Sequence, residues 1–188
     1  MTMTSRREKV PSRKMHRVVL VICEGETEAN YVNLLRGWYK SPIKITSCVK
    51  GNRITQALVE KCKRELKISV NDQVDSFLMY DMDVPNINEK LSKCNATLLL
   101  SNPCFELWLL LHAKEQKTAL STEAVQKELK RSASVWNNYI KAYYTETQRT
   151  FLMEHIDNAI QRAKALKEFQ NPSSGVYKLI EVLKGGSK

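Results

Sequence analysis

Apolar runs alternate with stretches of helical spacing through the first half of the chain. Residues 18–23 form a continuous run rich in β-branched side chains, which is typical of a strand covered on both faces. Similar runs at residues 43–49, 76–80 and 96–101 predict three more strands, and the spacing of apolar residues between the four strands predicts connecting helices. Strands and helices in strict alternation predict a parallel α/β sheet.

The second half of the sequence is helical in pattern. Helices are predicted at residues 105–113, 122–131, 135–144, 151–169 and 176–183, with a turn at 171–175. These helices either pack on the sheet or form a lobe of their own, and the sequence favours neither arrangement. Trp108, His112 and Trp136 lie at helical spacing among leucines or tyrosines, so core positions are expected for them.

The chain is long enough for one domain with its own core, and it is strongly basic. Its 188 residues have a formal net charge of +10. Residues 1–17 hold six basic side chains and one glutamate, so we divide the chain into a basic tail at 1–17 and a single domain at 18–188. Such a tail is either a solvated terminus or a contact for a polyanion such as nucleic acid. The candidates for phosphate contact are Arg6, Arg7, Arg13, Lys14 and Arg17, together with Lys50 and Arg53 in the domain.

The cysteine, histidine and hydropathy patterns argue against several classes of protein. The five cysteines form no C-x-x-C pair, and the three histidines show no ligand spacing with them, so neither a zinc site nor a disulfide framework is expected. Polar residues interrupt the longest apolar stretch, and no leading signal segment is recognisable. We therefore expect a cytoplasmic protein with reduced thiols and no membrane contact.

Acidic side chains follow two of the predicted strands. Glu24 comes directly after the first strand, and Asp81 and Asp83 come directly after the third. Because the carboxyl ends of parallel strands meet at one edge of a sheet, the three side chains are expected to share the crevice where such folds bind ligands. If the chain stays extended there, the two aspartates point the same way. Clustered carboxylates repel, and a divalent cation such as Mg²⁺ or Mn²⁺ would relieve that repulsion.

Simpler interpretations exist for parts of this pattern. Glu24 followed by glycine is a common strand-to-helix turn, and Glu26 and Glu28 suit the first turn of a helix, where negative charge stabilises the helix dipole. Acidic residues at two strand ends together favour a site at Glu24, Asp81 and Asp83.

Four sequence segments resemble a known family. The segments "CEGETEANY", "MYDMD", "SNPCFELWLLLH" and "NPSSGVYKLIEVL" are similar to the RloB family of Toprim proteins, and the Toprim domain also occurs in topoisomerases, primases and several nucleases. The resemblance implies a Toprim-like parallel sheet flanked by helices. It implies that Glu24 is the Toprim glutamate, that Asp81 and Asp83 are the Asp-x-Asp pair, and that Glu106 is a candidate extra acid. Glu106 could equally stabilise a helix dipole.

The same resemblance implies a nuclease of a bacterial abortive-infection system, commonly encoded beside an ATPase. Glu24, Asp81 and Asp83 are the predicted catalytic residues, and with Glu106 they are the predicted ligands of Mg²⁺ or Mn²⁺. The expected reaction is metal-dependent hydrolysis of phosphodiester bonds in DNA or RNA. The alternative is a non-catalytic subunit that binds nucleic acid or serves as a scaffold for the ATPase. A chain of this length has no room for the additional domains of a topoisomerase or a primase.

The basic tail leads to a prediction about the salt dependence of nucleic-acid binding. If the tail contacts phosphates, deletion of residues 1–17 releases fewer counterions on binding and flattens the dependence of affinity on salt. For the five net charges of the tail, the log–log slope should change by about 3.5 with single strands and about 4.5 with duplex. Titrations of the full and shortened chains over a salt series measure this, and an unchanged slope would exclude the tail as a contact.

Overall fold

A five-stranded sheet lies at the centre of the described part of the chain. The computed structural model describes residues 17–39, 44–66, 68 and 72–185. The strands are β1 (Arg17–Cys23), β2 (Lys44–Val49), β3 (Gln73–Asp81), β4 (Thr97–Asn102) and β5 (Ser173–Ser174), and their order across the sheet is β2-β1-β3-β4-β5. The first four are parallel, as the alternating pattern predicted, whereas β5 pairs antiparallel with β4. The arrangement is consistent with a Toprim-like α/β fold.

Eight α-helices of the described residues surround this sheet. Their bounds are α1 (Glu26–Trp38), α2 (Gln56–Glu65), α3 (Pro85–Ser92), α4 (Glu106–Ala113), α5 (Thr122–Ser132), α6 (Glu146–Glu154), α7 (Ile156–Lys164) and α8 (Tyr177–Gly185). Helices α2 and α3 bury apolar residues on one face of the sheet, while α1 packs on the other face. None of the described helices is long and apolar enough to cross a membrane.

The direction of the chain across the sheet reverses between β1 and β3. From β1 the chain moves to β2 at one edge, and it then crosses to β3 on the other side of β1 before it continues to β4. Ligands of open α/β sheets bind at such a switch point, outside the carboxyl ends of the strands. The topology therefore predicts a ligand site at the carboxyl ends of β1 and β3.

The helices of the second half pack on the sheet. Their side chains join residues of β1, β3 and β4 in one apolar core, in which Val21, Met79, Trp108 and Ile180 are examples. Trp108, His112 and Trp136 are all buried, so the expected core positions are confirmed. The question that the sequence left open is settled in favour of packing, although the proposed domain boundaries stay a prediction.

Three predictions about the second half were wrong. Residues 135–144 do not form a helix: a single 3-10 turn at Ser134–Trp136 is followed by irregular chain, because the tyrosines of this segment are drawn to separate partners on α1 and α4. The helix predicted at 151–169 starts earlier, at a Thr145 cap, and is divided at His155 into α6 and α7. The turn at 171–175 contains β5, which at two residues is too short to leave a periodic pattern.

Gly175 allows the last segment to approach β4 closely, and this leads to a stability prediction. A Cβ atom at this position would lie 3.3 Å from the Leu100 nitrogen and from the Leu99 Cα, so the backbone of β4 would have to shift by a few tenths of an ångström. Gly175→Ala should therefore destabilise the protein by about 1–3 kcal/mol, the usual effect of overpacking. The midpoint of urea unfolding measures the change.

Gly37→Ala is the matched control for this substitution. Gly37 lies in α1, and a Cβ atom there would meet none of the described atoms within 4 Å. Its replacement should leave stability unchanged or raise it by up to about 1 kcal/mol through helix propensity. Equal effects at the two glycines would contradict the close approach at Gly175.

Candidate active site

Glu24 connects the carboxyl ends of β1 and β3. Its backbone N–H donates to the Met79 carbonyl at 3.0 Å, which extends the ladder between the strands by one residue. Its side-chain Oε2 accepts a hydrogen bond from the Asp81 N–H at 3.0 Å. Burial raises the pKa of Glu24, the hydrogen bond from Asp81 opposes that rise, and the negative charge of Asp83 adds to it. Glu24 is therefore part of the switch point and more than a turn residue.

Asp81 is the most perturbed carboxylate of this edge. It is the last residue of β3 and is half-buried, and its buried Oδ1 has no hydrogen-bond partner among the described residues. Burial raises the pKa of Asp81 to about 9, with further contributions from the carboxylates of Glu28, Glu24, Glu106 and Asp83. A buried acceptor of this kind requires an explanation, and a missing cation or proton would supply it.

Asp83 lies on the same edge but in a different environment. The chain does not stay extended after Asp81: Met82 donates its N–H to the Ser101 carbonyl at 2.9 Å, and the next residues bend toward α3. The prediction that Asp81 and Asp83 point the same way required an extended chain here, so it does not apply. Asp83 is exposed, and its negative charge contributes to the raised pKa values of both Glu24 and Asp81.

Glu28 is also a member of the acidic cluster. The sequence pattern assigned this residue only to stabilisation of the helix dipole. It does cap α1, because its Oε2 accepts a hydrogen bond from the Gly25 N–H at 3.0 Å. However, it is only 6% exposed, and its charge is the largest carboxylate contribution to the raised pKa of Asp81. Burial likewise raises the pKa of Glu28. Glu26, by contrast, is exposed.

Glu106 is paired with a lysine that sequence reasoning missed. It is the first residue of α4 and is 2% exposed, and its Oε1 lies 3.3 Å from the Nζ of Lys141 and accepts a hydrogen bond from the Tyr139 hydroxyl at 3.5 Å. Burial alone would lower the pKa of Lys141, but Glu106, and after it Asp81, raise this pKa above its ordinary value. Lys141 therefore brings a positive charge to the cluster from the second half of the chain.

The first turns of α1 hold the segment that carries Lys141. The Ala142 N–H donates to the Thr27 hydroxyl at 3.1 Å, and the Asn30 amide donates to the Ala142 carbonyl at 2.7 Å. The Tyr144 hydroxyl adds a bond to the Thr27 carbonyl at 3.2 Å. Nothing in the local sequence signals these contacts, because they join residues more than 110 positions apart.

The structure brings two of the predicted phosphate contacts to this edge. The Lys50 N–H donates to the Cys23 carbonyl, and the N–H of Gly51, which has a φ of 51°, donates to the Glu24 carbonyl, both at 3.1 Å. Lys50 and Arg53 line a cleft of about 610 Å³ next to this loop.

The other predicted phosphate contacts do not lie at this edge or are not described. Arg17 begins β1 at the opposite end of the sheet and forms an ion pair with Asp75. Arg6, Arg7, Arg13 and Lys14 lie outside the described residues.

The donor set of this edge suits a hard divalent cation, although its present arrangement is not that of a preformed site. Among the described residues, no three acidic, histidine or cysteine side chains converge closely enough to hold a metal ion. Glu24, Glu28 and Glu106 each bond to protein groups, while the buried Oδ1 of Asp81 lacks a described partner. Oxygen donors with excess negative charge are what Mg²⁺ prefers. The residues fit the ion, and Asp81, Asp83, Glu24 and Glu106 as its ligands stay a prediction.

The raised pKa of Asp81 leads to a prediction about stability and pH. In the unfolded chain this carboxyl titrates near its ordinary value of 3.8, whereas in the folded protein its pKa is about 9. Between these values the folded state binds the extra proton, so stability falls as pH rises. Asp81→Asn has no ionisable carboxyl at this position, so this variant should not lose stability in this way as pH rises. Its melting temperature should exceed that of the wild type increasingly from pH 5 to pH 9 in a chelator, by at least about 2 °C, the shift that about 1 kcal/mol produces in a chain of this size.

Asp83→Asn is the control, because Asp83 is exposed. Its charge makes the smallest of the named carboxylate contributions to the raised pKa of Asp81, so its melting temperature should stay much closer to that of the wild type than the melting temperature of Asp81→Asn does. An Asp81→Asn curve that is parallel to the wild-type curve would show that Asp81 titrates normally in the folded protein.

Comparison with known proteins agrees with the resemblance found in the sequence. A family model described as RloB-like protein matches residues 19–183. Neither the curated proteins nor the solved structures contain a match to the chain. The family match extends from β1 to α8 and so includes every carboxylate of the candidate site and Lys141. Because it covers most of the chain, the protein belongs to the RloB-like family.

Proposed function

We propose that this protein is a Mg²⁺-dependent nuclease that hydrolyses phosphodiester bonds of nucleic acid. The observation that carries the proposal is the cluster of Glu24, Glu28, Asp81 and Glu106 at the switch point of the sheet, in which a buried oxygen of Asp81 lacks a described partner. Perturbed acids in the crevice of an α/β sheet are a mark of functional sites. Membership of the RloB-like family supports the same activity.

Asp81 and Asp83 are the proposed ligands of Mg²⁺ or Mn²⁺, with Glu24 and Glu106 as further candidates. The bound ion would polarise a phosphate oxygen and lower the pKa of a water molecule. Lys141 offsets part of the negative charge of the cluster, and its ammonium group lies where it can also contact a substrate phosphate. Lys50 and Arg53 are the proposed phosphate contacts on the other side of Glu24.

Glu24 is the proposed proton-transfer residue. Burial raises its pKa, which brings the group nearer to the range where a carboxyl both takes and gives a proton at neutral pH. It would take a proton from the attacking water or give one to the leaving oxygen. Its hydrogen bond from the Asp81 N–H holds the carboxylate in place beside the aspartate.

The biological setting is part of the proposal and rests on the family. We infer a cytoplasmic component of a bacterial anti-phage abortive-infection system, whose activity a partner ATPase controls. A nuclease that damages its own cell requires such control.

A second candidate function is a non-catalytic subunit that binds nucleic acid or serves as a scaffold for the ATPase. The observation that favours it is that Glu24, Glu28 and Glu106 each bond to protein groups. In that case Glu24 joins the ends of β1 and β3, Glu28 caps α1 and Glu106 anchors Lys141, and all three have structural roles.

Calorimetric titration with Mg²⁺ or Mn²⁺, beside a nuclease assay with the partner ATPase present, tests the proposal. Asp81→Asn and Asp83→Asn should each weaken metal binding and lower activity together. Glu24→Gln retains an oxygen that can accept the bond from Asp81, so it should spare metal binding at the aspartates. It should still lower the rate by at least about 10²-fold, the usual scale of general acid–base catalysis.

Glu26→Gln is the control for these variants, because Glu26 neighbours the cluster but is exposed. It should bind metal and cleave like the wild type. If the three site variants also behave like the wild type, the proposed site does not exist. If the wild type binds metal and nucleic acid but does not cleave with the ATPase present, the non-catalytic function is correct.

A further inference from the structure

A short loop beside the candidate site carries two exposed apolar side chains. Ile140 and Tyr143 are 66% and 59% exposed, the highest values among the large hydrophobic residues that the structure describes. They flank Lys141 in the four-residue segment 140–143, which we call the 140–143 loop. Lys141 reaches into the acidic cluster and lies two residues from Tyr143, a chain length of about 7 Å at most.

The 140–143 loop is held firmly despite its exposure. Ile140 and Tyr143 form an isolated β-bridge, and between them Ala142 adopts a φ of 62°. The backbone of Ala142 bonds on one side to Thr27 and on the other to Asn30, so α1 fixes the conformation. The ring of Tyr143 is therefore presented on a supported backbone. A preorganised aromatic ring loses little conformational freedom when a flat ligand stacks on it.

A cleft next to Tyr143 has the size and lining of a binding site for a small planar group. Its volume is about 330 Å³, near the lower limit of ligand pockets. Asn30, Asn33, Tyr143 and Arg149 line it, so it offers amide groups, an aromatic ring and a positive charge, with no acidic residue in its lining. A second cleft of about 390 Å³ lies along α1 and α6 and shares Asn33 and Arg149; it is also lined by Glu146, an exposed residue 3.8 Å from the guanidinium of Arg149.

We propose that this cleft binds a nucleobase of single-stranded nucleic acid, with Tyr143 as the stacking residue. The inference rests on the proposed function and names its substrate class. Bases of a single strand expose a π-face that an aromatic side chain can cover, whereas the bases of a duplex already stack on each other. Arg149 lines the same cleft as Tyr143, and Lys141 is two residues from Tyr143 in the chain, so both can supply positive charge for the adjoining phosphates.

Binding without metal tests the inference separately from catalysis. Fluorescence anisotropy in EDTA is measured with labelled DNA and RNA oligonucleotides, both single-stranded and duplex. The wild type should prefer single strands. Tyr143→Ala should weaken single-strand binding by about 5- to 150-fold, the range expected for loss of one base–aromatic stack. Tyr143→Phe retains the ring and should bind within about twofold of the wild type, since it loses only the hydroxyl group.

Phe169→Ala is the matched control. Phe169 is an aromatic residue with 48% exposure on the loop before β5, and the hydrogen bond that it accepts from Asn102 uses its carbonyl, which the substitution keeps. Its replacement should leave binding unchanged. Circular dichroism and melting temperature verify that each variant is folded, as the exposure of both side chains leads us to expect.

Two results would overturn the inference. One is a Tyr143→Ala protein that binds single strands as tightly as the wild type. If that variant also loses its association with the partner ATPase, the exposed ring is a protein contact and the inference is wrong. The other is a wild type that prefers duplex. Absence of cleavage by a wild type that still shows the Tyr143-dependent binding would refute the proposed nuclease and support the stacking site.

Discussion

The parallel pairing of β1 with β3 is the interaction on which the rest of the structure depends. Both strands are central, and each is nearly covered by apolar residues on its two faces. Their register places Cys23 beside Met79, so Glu24, one residue after Cys23, and Asp81, two residues after Met79, come to the same edge. The bond from the Asp81 N–H to Glu24 then joins a side chain of one strand to the backbone of the other. Any change in this register would separate the two acids.

The electrostatic repulsion within the acidic cluster lowers the stability of the fold. Burial and the neighbouring carboxylates raise the pKa values of Glu24, Glu28 and Asp81. Folding therefore concentrates like charges in a place with little water, which opposes stability. A fold has no structural need for such a cluster, and proteins tolerate strain of this kind mainly at functional sites. The large apolar cores on the two faces of the sheet supply the stability that makes the cluster tolerable.

The second half of the chain completes the site as well as the core. Helix α4 brings Glu106 to the edge with its first residue, and the irregular segment after α5 brings Tyr139 and Lys141. Helix α1 binds that segment through Thr27 and Asn30. The parallel sheet alone would thus present Glu24 and Asp81 without the positive charge of Lys141. The match to the RloB-like family likewise spans both halves.

The sequence by itself determined the strands of the parallel sheet, the helical character of the second half, and the placement of Glu24, Asp81 and Asp83 at or just after strand ends. These features have local signals: apolar runs, helical spacing, and the rule that parallel strands end at one edge. Only the tertiary structure decided the strand order, the short antiparallel β5, the burial of Glu28 and the position of Lys141. Each of these depends on contacts between distant residues, such as Ala142 with Thr27. The side chains of residues 135–144 fit a helical pattern, yet the burial of Tyr139 against α4 and of Tyr144 against α1 outweighs that local preference, because packing contributes more free energy than helix propensity.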